Sequence, residues 1–345
     1  MRRGRRTHRR RKGRGGIFSG RRCNAVVRCS SDRSELSRRA KVVIAGALQT
    51  RILGRPLAQS DGRFLRKCHK PSRLEQRGVR DDSWGRCKVT SDLVPTVRVA
   101  GLPFARTDLA GACGVLRRAA LSRRPVSFHF ANAYCVASAV KDRSYFEVLS
   151  SGGATFPDGT PVVWFMRVLD GTINSAARVR GPSAFSMMLS GADGRDIRHF
   201  FLGASDETLM RLTERVARTS PATIVAGTYA PPYGPLDEAF FHESANRIDH
   251  AHADLVWIAL GSPKQDFAAS KLAALTQTPC AAVGAAFDFY AGSTREAPLW
   301  MQSKGLEWIF RLATEPRRLW RRYLIGNWIF LYEATRYAIA RRIQR

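Results

Sequence analysis

From about residue 97 onward, short apolar runs alternate with amphipathic stretches of helical period. VRVAGLPF at 97–104 reads as a short strand followed by a turn. Asp108 then opens a helix over 109–121, with Arg117 and Arg118 near its end. VSFHFANAYCVASAV at 126–140 reads as a buried strand that passes into a helix after Asn132. An apolar helix follows at 183–191. Strand-and-turn units recur at 198–205, 223–234 and 253–267, leading into helices over 206–218, over 235–249 and from about Lys264. A fifth strand is read at 280–292. Strands alternating with helices of this size need crossover connections. They predict an α/β fold, a mainly parallel, Rossmann-like sheet covered by helices on both faces.

Sheets of this kind bind ligands beyond the carboxyl ends of their strands. Asn132, Asp158, Gly203, Tyr229, Tyr233, Gly261, Lys264, Gln265 and Asp288 all fall at such ends, so one crevice can collect them. The chain is organised around GGATFPDGTPVVWFM at 152–166. Pro157 disfavours a helix before it, and Gly159 permits a tight turn after Asp158. Asp158 is thereby displayed on a loop against an apolar wall. Partial desolvation there raises a carboxyl pKa and suits a general base. The plainer reading is a cap for the helix that begins near Pro161.

Charge separates the chain into three parts. The 345 residues carry a formal net charge of +29. Residues 1–95 hold 27 Lys/Arg against 7 Asp/Glu, residues 96–303 hold 20 against 18, and residues 304–345 hold 10 against 3. The expected domains follow: a basic, disordered extension over 1–95, a near-neutral catalytic domain over 96–303, and a basic segment over 304–345. Nucleic-acid binding is the obvious function for an arm like residues 1–40, but no aromatic interleaving or folded recognition element accompanies it. An upstream start codon that adds sequence foreign to the fold explains the arm equally well. The apolar run Val42–Leu48 lies behind too long a basic leader for a conventional signal peptide, and no run is long enough to cross a bilayer. Seven scattered cysteines without a Cys-x-x-Cys pair fit a reducing compartment, with Cys135 and Cys280 as small core residues.

Candidate chemistry sits in four further places. Gly203 and Gly261 end strands just before helices, where backbone amides can approach a phosphate, but GxGxxG and a Walker lysine are absent. Tyr229 and Tyr233 can stack on a flat base or simply pack a Pro-rich loop. In GSPKQDF at 261–267, Lys264 and Gln265 could orient a sugar or diphosphate, with a solvated surface charge as the plainer reading of Lys264. Asp288 lies in an apolar strand end, to accept a hydrogen bond from a base or ribose or to serve as a structural carboxylate. The histidines form no ligand cluster and no Asp-x-Asp pair is present, so no metal is expected. Arg178, Arg180 and Lys264 are the groups available to a diphosphate.

The carboxyl-terminal stretch runs EPRRLWRRYLIGNWIFLYEATRYAIARR from Glu315 to Arg342. Arg317, Arg318, Arg321 and Arg322 are spaced to share one helical face, with Leu319, Trp320, Tyr323 and Leu324 opposite. A basic face with a Trp-rich reverse is the pattern of a helix lying in an anionic membrane surface. An ordinary terminal helix docked on the domain is the alternative.

Taken in order, several motifs resemble the WecG/TagA/CpsF family of bacterial glycosyltransferases over residues 97–335. They are the Asn132 region, PDG at 157–159, Arg178 with Gly181, GSPKQD at 261–266, GAAFDFYAG with REAPLW at 284–300, and GLEWIFRLATEPRRLWRRY at 305–323. The resemblance implies inverting transfer of a sugar from a nucleotide diphosphate, usually UDP, to a polyprenyl-diphosphate-linked saccharide for cell-surface polymers, and the missing Asp-x-Asp pair fits a metal-independent route that uses arginines instead. It implies Asp158 as the catalytic base that deprotonates the acceptor hydroxyl, with Asn132 and Arg178 counted among the catalytic residues. Asn132, Arg178, Tyr233, Gln265 and Asp288 are implied in the donor pocket, and no cofactor is implied. The Arg/Trp segment would touch the inner face of the cytoplasmic membrane and close over the site, with Arg317, Arg318, Arg321 or Arg322 reaching the leaving diphosphate. An enzyme so placed could self-associate. Phe130 stands where the family often has a hydroxyl residue. Pro182-Ser183-Ala184 stands where it often has an Asp, and Asp266 replaces the usual Glu.

Overall fold

Apolar runs without alternation need cover on both faces, and the chain supplies it with helices between successive parallel strands. The computed structural model describes residues 93–170, 176–191 and 196–343. These lie within one unit, Asp81–Arg345. The basic stretch 1–92 and the readings placed on it lie outside the described residues.

The strands are β1 (Thr96–Val99), β2 (Leu102–Ala105), β3 (Ser127–Ala131), β4 (Ala154–Pro157), β5 (Arg198–Gly203), β6 (Ile224–Tyr229), β7 (Leu255–Ala259) and β8 (Cys280–Ala282). The helices begin with α1 (Leu109–Leu121), α2 (Ala133–Lys141), α3 (Arg143–Ser151), α4 (Thr160–Asp170), α5 (Gly181–Ser190), α6 (Asp206–Thr219), α7 (Glu238–His250) and α8 (Lys264–Thr276). They continue with α9 (Ala286–Ala291), α10 (Leu299–Ser303), α11 (Glu307–Thr314), α12 (Pro316–Trp320), a π-helical turn at Arg321–Ile325, and α13 (Gly326–Ile343).

Strands β3 to β8 form one parallel sheet in the order β4-β3-β8-β7-β5-β6. Alternate residues of each strand serve opposite cores. Phe128, Phe130, Phe201 and Trp257 pack with α1, α5, α6 and α9. Phe200, Leu202, Val256 and Ile258 face α7 and α8. A third cluster joins β1, β2, α2, α3 and α4 to Phe330 and Ala334 of α13.

Three expectations change. The stretch 97–104 is an antiparallel hairpin, β1 with β2, folded at Ala100 and Gly101. Residues 154–157, read as a lead-in to a loop, are strand β4. A proline tolerates this position because β4 is an edge strand with one neighbour. The fifth strand stops at Ala282. Phe287-Asp288-Phe289 mimics strand alternation but lies in an alanine-rich helical turn, α9.

A buried polar network ties β3 to α8. His129 on β3 is fully buried. Its Nε2 lies 2.9 Å from Ser127 Oγ and its Nδ1 lies 2.9 Å from Asp266 Oδ1. Tyr145 of α3 donates to Asp266 Oδ2 at 2.9 Å. Burial pushes the Tyr145 phenol far up, so it stays a donor. With all partners present the network is tolerable in a core, but losing one member strands a carboxylate oxygen. Tyr145→Phe keeps the ring and removes that donor. Its unfolding free energy, read by urea denaturation, is expected to fall by about 1–3 kcal/mol.

Candidate active site

Parallel pairing brings the two most suggestive residues together. In the β3–β4 ladder Ala131 pairs with Pro157. The next residues, Asn132 and Asp158, therefore leave the sheet side by side. The Asp158 amide donates to Ala131 O at 3.0 Å. Gly159 backs directly onto Asn132, since a Cβ there would lie 3.4 Å from Asn132 Cβ. Asn132 is the N-cap of α2, and its Oδ1 accepts from the amides of Tyr134 and Cys135 at 3.0 and 3.3 Å. Asp158 makes no such cap. The amides of Val162 and Val163 go instead to Gly159 O at 3.1 and 3.2 Å.

A second segment aims two guanidiniums at this edge. Val179 donates to Pro157 O at 2.9 Å and is fully buried. Arg178 and Arg180 flank it in extended chain and therefore turn to its other side. Arg180 is buried, and its Nη2 reaches Glu296 Oε1 at 2.5 Å and Glu307 Oε1 at 2.9 Å. Its Nη1 donates to Gln302 Oε1 at 2.6 Å and to Ser183 Oγ at 3.2 Å. Arg178 Nη1 lies 4.0 Å from Glu307 Oε2. The 305–307 turn rests on the start of α4. Gly305 has φ +72°, and a Cβ there would fall 2.3 Å from Thr160 Oγ1.

These surroundings set the state of Asp158. Burial pushes its carboxyl from 3.8 up to about 7, and the Glu307 charge adds to the rise, while Arg180, Arg178 and Arg311 oppose it. Burial lowers the Arg178 guanidinium, against the pull of Asp158 and Glu307. A carboxyl that titrates near neutrality, beside two cations, can take a proton from a hydroxyl while the cations face a developing anion.

The other sequence-named residues divide. Gln265 is 2% exposed. Its Oε1 accepts from the Gly261 and Gly284 amides at 3.1 and 3.0 Å, so it staples two strand-end loops together. Lys264 donates to Gly234 O and sits 5.7 Å from the centre of the Tyr233 ring, which is fully exposed. Asp288 is half-buried on α9 and not at a strand end. Gly203 is required for packing. A Cβ on it would meet Ala259 O at 2.5 Å, which accounts for that residue without a phosphate.

Arg317, Arg321 and Arg322 do not all share one face. The π turn at Arg321–Ile325 inserts a residue into the helical register. Arg317 and Arg321 are exposed, whereas Arg322 turns in over Tyr134, 4.4 Å from its ring centre. The Arg318 side chain lies outside the described residues. On the reverse, Leu319 is buried and Tyr323 packs on Trp308, but Trp320 and Leu324 are exposed. Arg321 and Arg322, with Tyr134, Gly261 and Ser262, line a cavity of about 510 Å³. Among the described residues, no helix is long and apolar enough to cross a membrane, and no three His, Cys, Asp or Glu residues gather as for a metal ion. Sequence reading missed Glu296, Gln302, Glu307 and Arg311. The signal available was Glu307, a carboxylate at the head of an arginine-rich stretch.

The raised pKa carries a stability consequence with a fixed sign. Between 3.8 and about 7 the unfolded chain releases the Asp158 proton while the folded chain keeps it. Stability from this group is therefore present below that window and lost as pH rises through it. Asp158→Asn removes the loss. Its melting temperature relative to the unaltered chain is expected to rise as pH goes from 5 to 8, read by calorimetry.

The family model described as "Glycosyl transferase WecG/TagA/CpsF family" matches residues 97–344. A Bacillus subtilis (strain 168) protein named N-acetylglucosaminyldiphosphoundecaprenol N-acetyl-beta-D-mannosaminyltransferase is 29% identical over 231 residues, 66% of this chain and 87% of that protein. A protein of the same name from Bacillus spizizenii is 35% identical over 187 residues, 54% of this chain and 70% of that protein. With the match running from β1 to the end of α13, the chain belongs to the WecG/TagA/CpsF family of glycosyl transferases.

Proposed function

We propose that this chain is an inverting glycosyltransferase that moves a sugar from a UDP-sugar to a polyprenyl-diphosphate-linked saccharide during cell-surface polymer synthesis. The observation that carries the reading is Asp158, a half-buried carboxyl titrating near 7, set beside Asn132 and facing two guanidiniums. A single displacement needs one base and a stabilised leaving group, and this edge of the sheet holds both types of group. The two Bacillus relatives support the acceptor class, since their name specifies an N-acetylglucosaminyldiphosphoundecaprenol.

In this reading Asp158 deprotonates the acceptor hydroxyl and Arg178 faces the donor diphosphate. Asn132 completes the catalytic set and fixes the edge on which both act. Tyr233, Lys264, Gln265 and Asp288 form the donor pocket, with Gln265 acting through the two loops it holds. Arg317, Arg318, Arg321 and Arg322 close over the leaving diphosphate. Residues 96–303 are the catalytic domain and 304–345 the membrane-associating segment. Trp320, Leu324, Ile325 and Trp328 are exposed beside Arg317 and Arg321. They give that segment an apolar and cationic surface suited to the anionic inner face of a bacterial cytoplasmic membrane.

Asp158→Asn is expected to lower transfer by about 10²–10⁴-fold while UDP affinity stays close to that of the unaltered enzyme. Unchanged turnover would reject the base assignment. In the unaltered enzyme the acid limb of kcat/KM is expected to turn near pH 7, following Asp158. Replacing Trp320 and Trp328 together by Ser should reduce co-sedimentation with anionic vesicles. Equal sedimentation would detach these residues from the membrane claim.

A further inference from the structure

Glu307 is a second carboxylate beside Asp158, in a site where Arg178, Arg180 and Arg311 also converge. It opens α11, its side chain is 18% exposed, and its two oxygens are differently engaged. Oε1 is held by Arg180 at 2.9 Å. Arg180 is also held by Glu296, Gln302 and Ser183, so it would stay in place whatever Glu307 does. Oε2 stands 4.0 Å from Arg178, at the limit of an ion pair. Among the described residues, Arg178 has no second ion-pair partner. The two guanidiniums are thus unequal: Arg180 is committed to the fold, and Arg178 is restrained loosely, by Glu307 at 4.0 Å and by the more distant charge of Asp158.

We propose that Glu307 is a positioning residue that stands in for a phosphate on Arg178 in the ligand-free enzyme and yields that guanidinium to the diphosphate of a nucleoside diphosphate. The inference rests on the proposed function and names the event that begins its cycle. A phosphate oxygen meets Arg178 at hydrogen-bond distance and as a fork, which a carboxylate at 4.0 Å does not achieve. The exchange therefore favours the diphosphate. Glu307 keeps its bond to Arg180 throughout, so the 305–307 turn stays seated on Thr160. The competition lowers the affinity of the site by the fraction of time that Arg178 is engaged. It also keeps the cations from being left unpaired between turnovers.

The charged and titratable groups facing Asp158 are Arg178 and Arg180 from the 176–180 segment, Glu307 and Arg311 from α11, and Tyr323 from the π turn. Removing the Glu307 charge leaves Asp158 among cations alone. A purely structural carboxylate would behave differently, because its loss would loosen the site and weaken ligand binding.

The test titrates the full chain with UDP, and separately with inorganic diphosphate, by calorimetry at low salt. Glu307→Gln retains an oxygen for Arg180 and removes the charge. It is expected to bind both probes about 3- to 10-fold tighter than the unaltered chain. Arg178→Gln in the same background should abolish the gain. The acid limb of kcat/KM should move to lower pH in Glu307→Gln. If Glu307→Gln does not fold, Glu307→Asp serves: its shorter carboxylate withdraws from Arg178, and a smaller gain in affinity is expected. Unchanged or weaker binding in a folded variant, while the unaltered chain binds UDP, would overturn the role of Glu307 and leave the proposed function standing. Failure of the unaltered chain to bind either probe would overturn both.

Discussion

The site depends on one backbone register. Because β4 runs parallel to β3 with Ala131 opposite Pro157, the next residue of each strand leaves the sheet at the same level. A shift by one residue would turn Asp158 toward the opposite face, since side chains alternate along a strand. The same register gives Pro157 O to Val179, and that bond aims Arg178 and Arg180. Asn132, Asp158, Arg178 and Arg180, from three separate segments of the chain, are therefore positioned by main-chain hydrogen bonds. This leaves the carboxyl of Asp158 free to be set by its surroundings. Burial raises it, a second carboxylate raises it further, and three arginines restrain the rise.

Behind that edge, the sheet is braced by polar groups that carry no exposed chemistry. His129, three residues before Asn132 on β3, is locked to Asp266 of α8, and Asp266 is locked to Tyr145 of α3. Gln265, the neighbour of Asp266, binds the Gly261 and Gly284 amides at the ends of the loops after β7 and β8. The dipeptide Gln265-Asp266 therefore works in two directions. One side chain shapes the rim of the cleft, and the other anchors the helix that bears it. Such fully satisfied networks specify a single arrangement more strongly than apolar packing does.

The C-terminal segment is joined to the sheet by charge as well as by packing. Arg180 receives partners from Glu296, Gln302 and Glu307, which lie before, within and after α10. Phe330 and Ala334 of α13 enter the core beside α2. At the π turn between these anchors, Arg322 faces Tyr134, while Leu324 within the turn and Trp320 just before it are exposed. Apolar and cationic groups consequently occur on both sides of the segment.

Much of the architecture was legible along the chain. Apolar runs marked β3, β5, β6 and β7, and the alternation with helices dictated a parallel sheet, because crossovers of that length permit little else. Asp158 was singled out from Pro157 and Gly159, whose conformational limits act locally. What sequence could not carry was everything set by strand order and register. Strand β4 is too short and too rich in small residues to announce itself, and Asp288 sits on a helical turn whose alternation imitates a strand. The π turn follows from no local residue preference and splits arginines whose spacing predicts one face. The pairing of Glu307 with Arg180 spans 127 positions. Local chemistry determined which side chains could act, whereas only the folded sheet decided which of them meet, because contact between distant segments is a property of register and packing and not of any single stretch.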